Sequence, residues 1–379
     1  MGTAKRWHPS EESDEIVFAV CSRFLEHLGK QRDARAAGDE GHRRGAAAAI
    51  AKWLREQWNR GDLTRERIYP LLWEAARRNF LLLLPPRETS LARRIAERYG
   101  VEGFAEHEDV IQVVNVRGPN AFGEVASVGA DTVLELIQRL GKKKDRVHVG
   151  LGAGYAAMMV AKRLAHRVYS DSSCPPLALH ALSSGGFSID KPQKAPITYF
   201  SYFDGVLADV ECVALFSETV VSSDEYERVK RGPGARRSFE RAGEIDIVIT
   251  SLASAQDADG LLGQYLEHLI RERELDPAAL KRMQDAGWVG DVQFRPYNRE
   301  GPIIEECPVR AVTLFDLSDL VRMAHTDDKY VVLLGGPCGE CGRLKTDALI
   351  PLLTRDELRL WTHLIVDVQT AGKLLSDDG

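Results

Sequence analysis

A chain of 379 residues is longer than one hydrophobic core usually fills, and with 44% hydrophobic and 28% charged residues it reads as an ordinary globular protein of two domains, neither disordered nor fibrous. The formal charge of −6 excludes a uniformly basic nucleic-acid coat but hides an asymmetry. Residues 1–100 carry 19 basic against 14 acidic side chains, and the remainder carries 31 against 42, so a basic front end precedes an acidic body and the two parts are expected to meet different partners.

In chain order, the charged segment 1–46 holds one apolar-periodic stretch, Ile16–Leu28, followed by a Gly/Arg/Asp-rich tract, Gln31–Arg44, that reads as a solvated connection. Ile50, Trp53, Leu54 and Trp58 recur at helical spacing and predict a helix over Gly45–Trp58. The turn Asn59-Arg60-Gly61-Asp62 ends it, and Thr64 is placed to cap a second helix running to about Asn79. Phe80–Leu84 reads as a short strand stopped by Pro85-Pro86. Helix, tight turn, helix, strand is the outline of a helix-turn-helix with the start of a wing. Arg43, Arg44, Lys52, Arg55, Arg60, Arg65, Arg67, Arg77 and Arg78 supply the charge that phosphate contacts require, although Glu56, Asp62, Glu66 and Glu74 are interleaved.

Beyond Pro86 short apolar runs alternate with helical patterns. Strands are expected at Val110–Val116, Arg146–Val149, Pro196–Tyr202, Cys212–Phe216, Ile245–Thr250, Val312–Leu314, Tyr330–Leu334 and His363–Val366. Helices are expected at Ser90–Tyr99, Asp131–Leu140, Tyr155–Ala165, Gly260–Glu272, Pro277–Asp285, Leu317–Ala324, Thr346–Pro351 and Arg355–Trp361. The alternation predicts an α/β fold, a three-layer arrangement with a mainly parallel sheet covered on both faces. Apolar runs fall far short of the roughly 20 residues that span a bilayer, Met1–Ser13 lacks the apolar core of a signal peptide, and six scattered cysteines make no disulfide framework. The expected location is the cytoplasm.

Three motifs carry chemistry. Val147–Tyr155 runs a strand through Gly150, Gly152 and Gly154 into a helix, so that backbone N–H groups can approach an anion at the helix N-terminus; a tight structural turn is the plainer reading. The spacing is Gly-x-Gly-x-Gly, not the dinucleotide pattern, and no nucleotide cofactor is expected. Gly335-Gly336-Pro337 is a second glycine turn at a strand end. Ser254 and the pair Gly290-Asp291, read as loop positions, offer a hydroxyl and a carboxylate suited to sugar hydroxyls, or simply turn caps. Cys338-Gly-Glu-Cys341 has the spacing of a redox pair or half a zinc site, but no second pair accompanies it, so no metal is expected.

Taken together, the segments from about Ala46 to Leu375 resemble the SorC-type (sorbitol operon regulator) family of bacterial transcription factors. The resemblance rests on Val147–Leu164, on Glu244–Ser254, on Ala286-Gly-Trp-Val-Gly-Asp-Val-Gln-Phe294, on Val332–Pro337, and on Leu364–Leu375 with its Thr370-Ala371 step. It implies a small winged-helix-like DNA-binding domain at 45–87, after an extension at 1–44, and an effector domain at 88–379 of the type shared by sugar-phosphate isomerases, deaminases and CoA transferases. It further implies a sugar or phosphosugar pocket built from Gly150, Gly152, Gly154, Tyr155, Ser254, Gly290, Asp291, Gly335 and Gly336. Operator DNA would be met by Lys52, Arg55, Thr64, Arg65 and Arg67 in a homodimer or homotetramer. The chain departs from the family at Tyr155, Ala156 and Ala157, where hydroxyl residues are usual, at Pro70, which should kink the second helix, and in residues 1–44. No catalytic residue is expected, because Asp291 shows no partner acid. The rival readings are a sugar-phosphate isomerase or deaminase on the same fold and a regulator that acts through protein partners.

Overall fold

Ile16, Val17 and Val20 lie on one face of helix α1 (Asp14–Ala36) and bury it against α2 (Ala46–Trp58) and α3 (Arg65–Arg77), with Ile50, Leu54, Leu63, Ile68 and Leu71 completing one core. The computed structural model describes residues 7–36, 45–78, 80–81, 85–101, 104, 107, 109–118, 121–169, 171, 173–185, 191–222, 224–257 and 260–376. The chain divides into two units, Met1–Leu83 and Leu84–Gly379. The expected extension at 1–44 is therefore corrected in part: α1 shares the core of α2 and α3, and its helix runs through Gln31–Ala36, where a connection was expected. Residues 37–44, with Arg43 and Arg44, lie outside the described residues.

Asn59 adopts a left-handed φ of 52° that closes α2, and Arg60 N–H donates to the Leu54 carbonyl. Helix α3 continues through Pro70 to Arg77; the N–H that proline lacks would have met the Glu66 carbonyl, still in the second turn. Phe80 and Leu81 are not the expected strand. Both amides fold back onto the Ala75 carbonyl at the helix end, and the Phe80 ring meets Phe18 edge-on. Asn79 and Leu82–Leu84 lie outside the described residues, so no wing strand is seen among the described ones.

This unit is also laced by charge. Arg60 forks onto both Glu12 carboxylate oxygens at 2.7 Å and onto Asp62 at 2.8 Å. Arg78 joins Glu74 at 2.7 Å, Asp14 at 2.7 Å and the Glu12 carbonyl at 2.9 Å. Hydrogen bonds from Arg77, opposed by burial and reinforced by Arg78, hold the Glu74 carboxyl down at about 2.

The larger unit contains α4 (Thr89–Tyr99), β1 (Ile111–Val114), α5 (Ala121–Gly141), β2 (Val147–Leu151), α6 (Tyr155–Val168), β3 (Leu177–Ala181), a 3-10 helix (Pro196–Phe203), β4 (Val210–Val213), β5 (Val220–Val221), α7 (Tyr226–Lys230), α8 (Arg236–Glu240), β6 (Ile247–Ser254), α9 (Leu261–Arg271), α10 (Pro277–Asp285), β7 (Gly290–Val292), β8 (Arg295–Tyr297), β9 (Arg310–Ala311), α11 (Leu317–Ala324), β10 (Tyr330–Leu334), α12 (Thr346–Thr354), β11 (His363–Asp367) and α13 (Val368–Leu375). Seven strands pair in parallel in the order β1-β11-β10-β6-β2-β3-β4, and the antiparallel β7–β8 hairpin joins the far end of β6. Alternate residues face opposite layers. Val147, Val149, Leu151, Ile247, Ile249, Val332 and Leu334 pack under α5 and α6. Val248, Leu252, Val331, Leu333, Leu364 and Val366 pack with α4, α11, α12 and α13. The expected α/β three-layer, mainly parallel architecture is the one observed. No helix among the described residues is long and apolar enough to cross a membrane.

Several expected elements differ. Pro196–Tyr202 is helical because Pro196 starts a 3-10 turn whose Tyr199 hydroxyl reaches back to the Lys194 and Gly154 carbonyls. Val312–Leu314 is no strand; Thr313 makes a single bridge to Ser183. Arg355–Trp361 contains only the 3-10 turn Asp356–Leu358. Helix α5 begins ten residues before the expected Asp131, with Gly129 where Leu334 and Val160 press closest.

Arg60→Ala should lower the unfolding free energy of the smaller unit by about 1–3 kcal/mol, read by chemical denaturation, because it leaves buried Glu12 without its charged donor. The carboxyls of Glu12 and Glu74 lie below their usual 4.5 in the fold, so both bind protons more readily when unfolded; their contribution is full above that value and is lost as pH falls through the folded-state values. Denaturation at decreasing pH should show this loss.

Candidate functional site

The sheet reverses its direction of growth between β2 and β6: from β2 the chain proceeds outward to β3 and β4, and from β6 it proceeds the other way to β10 and β11. A crevice opens at the carboxyl ends of strands at such a point. Here it is a pocket lined by residues from four places. Ala153–Ala156 come from the start of α6, Ser251–Ala253 from β6, Asp291, Gln293 and Phe294 from the β7–β8 hairpin, and Cys338–Glu340 from the turn after β10; Phe122, Lys194, Asp257, Gly260, Leu261 and Lys345 complete the wall.

The glycines shape this pocket mostly from behind. A Cβ on Gly150 would sit 2.7 Å from Leu182, one on Gly152 2.8 Å from the Ile249 carbonyl oxygen, and one on Gly335 3.0 Å from Val366. These residues let strands and side chains close up, and none lines the pocket. Gly336 lines a smaller adjoining cavity beside Val125 and Pro337. Gly154 does line the pocket, with φ of 107°, but its N–H already donates to the Lys194 carbonyl at 3.0 Å. The backbone amides left for a ligand are those of the first turn of α6, at Tyr155, Ala156 and Ala157, which have no partner inside the helix. The Tyr155 ring stacks on Phe122, centroids 4.9 Å apart, and forms one wall.

Gly290 and Asp291 are strand residues, not the loop residues expected: β7 pairs with β6 so that Ser254 faces Gly290 and Ala253 faces Asp291. Ser254 caps its own turn, accepting the Gln256 N–H at 3.2 Å, and does not line the pocket. A Cβ on Gly290 would meet the Ala253 carbonyl and Ala348, each at 2.7 Å. Asp291 is 5% exposed and lines the pocket. Burial pushes its carboxyl up to about 7 against the pull of Lys345 and a backbone hydrogen bond from Phe294, and the charge of Asp257 pushes the same way. The expectation of no neighbouring acid is thus corrected: Asp257 is close enough to act on it.

The two-residue turn of the hairpin, Gln293 and Phe294, has φ of 51° and 62°, unusual for residues with side chains. It delivers Gln293, 7% exposed, to the pocket wall with neither Nε2 nor Oε1 hydrogen-bonded to any described residue. A buried amide without partners is costly and marks a group poised for a ligand. The lysines, by contrast, are engaged. Lys194 Nζ bonds Glu340 at 2.7 Å, as does Lys191. Lys345 Nζ donates to the Leu252 carbonyl at 2.8 Å and lies 3.9 Å from Asp257. Burial alone would raise the Glu340 carboxyl, yet the two lysines hold it at about 2. Gln293, Lys194, Asp257, Glu340 and Lys345 are residues that sequence reasoning missed; Gln293 and Glu340 sit in segments already singled out, and the other three do not.

In the smaller unit, Arg55 and Arg65 are exposed, and Lys52 is exposed 3.7 Å from Glu56. Thr64 stands at the N-cap of α3, but its side chain makes no capping hydrogen bond. Arg67 is less free: its guanidinium lies over the Trp7 ring at 4.7 Å and 3.8 Å from Asp62. One face of α3 runs Arg65, Tyr69 and Trp73, the last 79% exposed.

No family model and no curated protein matches the chain. Solved structures do. It is similar to the full-length sorbitol operon regulator SorC from Klebsiella pneumoniae, with 14% identity and a TM-score of 0.59, over 96% of this chain and 100% of that one. It is also similar to a transcriptional regulator from Streptococcus pneumoniae TIGR4 (15% identity, TM-score 0.56, 76% of this chain and 97% of that one). A domain of a possible sugar-binding transcriptional regulator from Arthrobacter aurescens TC1 matches with 18% identity and a TM-score of 0.54, over 76% of this chain and 97% of that one. At these identities the likeness is one of fold, and the first match spans nearly the whole chain.

Two outcomes follow from the pocket. Gln293→Leu should raise the stability of the ligand-free protein, by about 1–3 kcal/mol in a denaturant titration, because it removes a buried polar group that has no partner. For Asp291, the folded-state value near 7 exceeds the ordinary 3.8, so the protonated carboxyl favours the fold fully below about 4, and that contribution is lost as pH rises through about 7. Asp291→Asn should flatten stability between those pH values.

Proposed function

We propose that the protein is a DNA-binding transcriptional regulator whose larger unit senses a sugar. The observation that carries the sugar reading is the unpartnered amide of Gln293, next to a carboxyl that burial pushes up to about 7. An amide offers two donors and two acceptor sites, and a protonated carboxyl offers one donor, a set that matches adjacent hydroxyl groups. The ligand this favours is an uncharged sugar. Lys194 and Lys345 are both engaged by carboxylates or carbonyls, and a phosphate would depend on the α6 amides alone, without hydroxyl side chains at Tyr155, Ala156 or Ala157. The fold shared with SorC supports the same reading. No catalytic step is assigned.

DNA contact falls to Arg65 at the first turn of α3, with Arg55 and Lys52 on phosphates and Thr64 beside them. Arg67 would have to leave Trp7 and Asp62 to take part. Two half-sites need two recognition helices at fixed spacing, so the working form is a homodimer or homotetramer, acting in the cytoplasm.

The test is titration of the purified protein against random-sequence and genomic DNA fragments at two salt concentrations. Binding should weaken as salt rises and should differ between fragments. Arg65→Ala should cost about 1–3 kcal/mol and relax selectivity, whereas Arg55→Ala should weaken all fragments alike. Absence of salt-sensitive binding even at low salt, or turnover of sugar phosphates by the pocket, would overturn the proposal.

A further inference from the structure

The Cys338–Cys341 stretch lines the pocket through Cys338, Gly339 and Glu340. It forms a tight turn after β10: Gly342 N–H donates to the Cys338 carbonyl at 2.9 Å, Cys338 N–H donates to the Arg343 carbonyl at 2.8 Å, and Gly342 takes a φ of 71° that favours glycine. The turn brings the two sulfurs together. A third group arrives from the distant end of β6. Asp257 is buried, its Oδ1 accepts a hydrogen bond from the Cys341 thiol at 3.4 Å, and one ligand atom each from Asp257, Cys338 and Cys341 all lie within 4.8 Å of one another. Lys345 approaches the other carboxylate oxygen, Oδ2, at 3.9 Å and leaves Oδ1 to face the sulfur.

The geometry points to a binding site for a soft divalent cation, zinc above all, held by Cys338 Sγ, Cys341 Sγ and Asp257 Oδ1 in the wall of the pocket. Zinc takes thiolate sulfur at about 2.3 Å and carboxylate oxygen at about 2.0–2.2 Å in a tetrahedron, which sets neighbouring donors roughly 3.3–3.8 Å apart. The Cys341–Asp257 separation already has that spacing. Each thiol gives its proton to solvent as its sulfur–zinc bond forms. Three protein ligands leave the fourth position open. Cys338 and Asp257 both line the pocket, so that position faces the space where a ligand would sit. A water fills it in the free protein, and a sugar hydroxyl could replace that water; this last step alone rests on the sugar reading.

A second cluster, His148, His180 and Glu244, is also compact. Its carboxylate, however, is already held by a cation. His148 Nδ1 and His180 Nε2 share a hydrogen bond at 3.0 Å, and Glu244 Oε2 accepts from Arg241 at 2.7 Å. The cysteine site is the one whose geometry calls for a cation.

The test uses the full chain, reduced, stripped with chelator and free of sugar. Zinc titrated in competition with a chromophoric chelator should bind at one equivalent per chain. Cobalt should give a sulfur-to-metal charge-transfer band. Zinc should protect Cys338 and Cys341, but not exposed Cys212, from alkylation read by peptide mass. Cys338→Ser and Cys341→Ser should each weaken zinc at least tenfold, and His148→Ala should leave it unchanged. No zinc uptake, a cobalt spectrum without the sulfur band, or loss in His148→Ala with retention in the cysteine variants would overturn the proposal. The cobalt and protection readouts use the unaltered protein, so a variant that fails to fold does not decide the matter. Sugar binding measured with chelator present separates failure of this site from failure of the sugar reading.

Discussion

The pocket depends on the close approach of β2 to β6 where the sheet reverses. Gly152 N–H donates to the Ile249 carbonyl at 2.9 Å, and any side chain at that position would strike the same oxygen. Because the two strands meet so tightly, the chain leaves β2 at once into α6, and β6 runs on past the sheet to pair with β7. The crevice between those departures is the pocket. The β7–β8 hairpin closes one side of it, and Gly290 allows the hairpin to lie directly on Ala253 and Ala348.

That arrangement explains why the pocket is polar yet nearly neutral. The lysines at its wall are held by Glu340, by Asp257 and by the Leu252 carbonyl, so they act first as parts of the wall. The polar groups that face a ligand are uncharged or easily made so: the Gln293 amide, which has no partner, and the Asp291 carboxyl. A strained two-residue turn holds Gln293 in place. Strain and an unpaired amide at one residue are costs that a ligand's hydroxyl groups would offset. In the smaller unit the balance runs the other way. Arg60, Arg77 and Arg78, which look like a basic surface in the sequence, are largely spent on Glu12, Asp62 and Glu74. Outward on α3 stand Arg65, Tyr69 and Trp73, with Glu66 exposed beside Arg65.

Much of the fold was legible because its strands are short apolar runs and its helices are amphipathic; Pro277–Asp285 and Leu317–Ala324 fall where periodicity puts them. The misreadings have local causes. Leu177–Ala181 escaped notice because His180 interrupts an otherwise apolar run, although the residue is fully buried. Pro196–Tyr202 looks like a strand by its aromatics, but proline at the first position starts a helical turn. The glycines of the site were legible as special, yet most are special for packing, a distinction that requires knowing which atom a Cβ would meet. Asp257, Lys194 and Lys345 were invisible because only the crossing of β6 past β2 and β10 brings them to the pocket, and Gln293 because a lone glutamine carries no pattern.

The central claim is that Gln293 anchors a sugar. Calorimetric titration of a panel of uncharged sugars and sugar phosphates against the unaltered protein and Gln293→Leu tests it most directly. The account predicts that at least one uncharged sugar binds, more tightly than its phosphate, and that Gln293→Leu weakens it about tenfold to a hundredfold while remaining folded. Binding that is indifferent to Gln293→Leu, or confined to sugar phosphates, would contradict it.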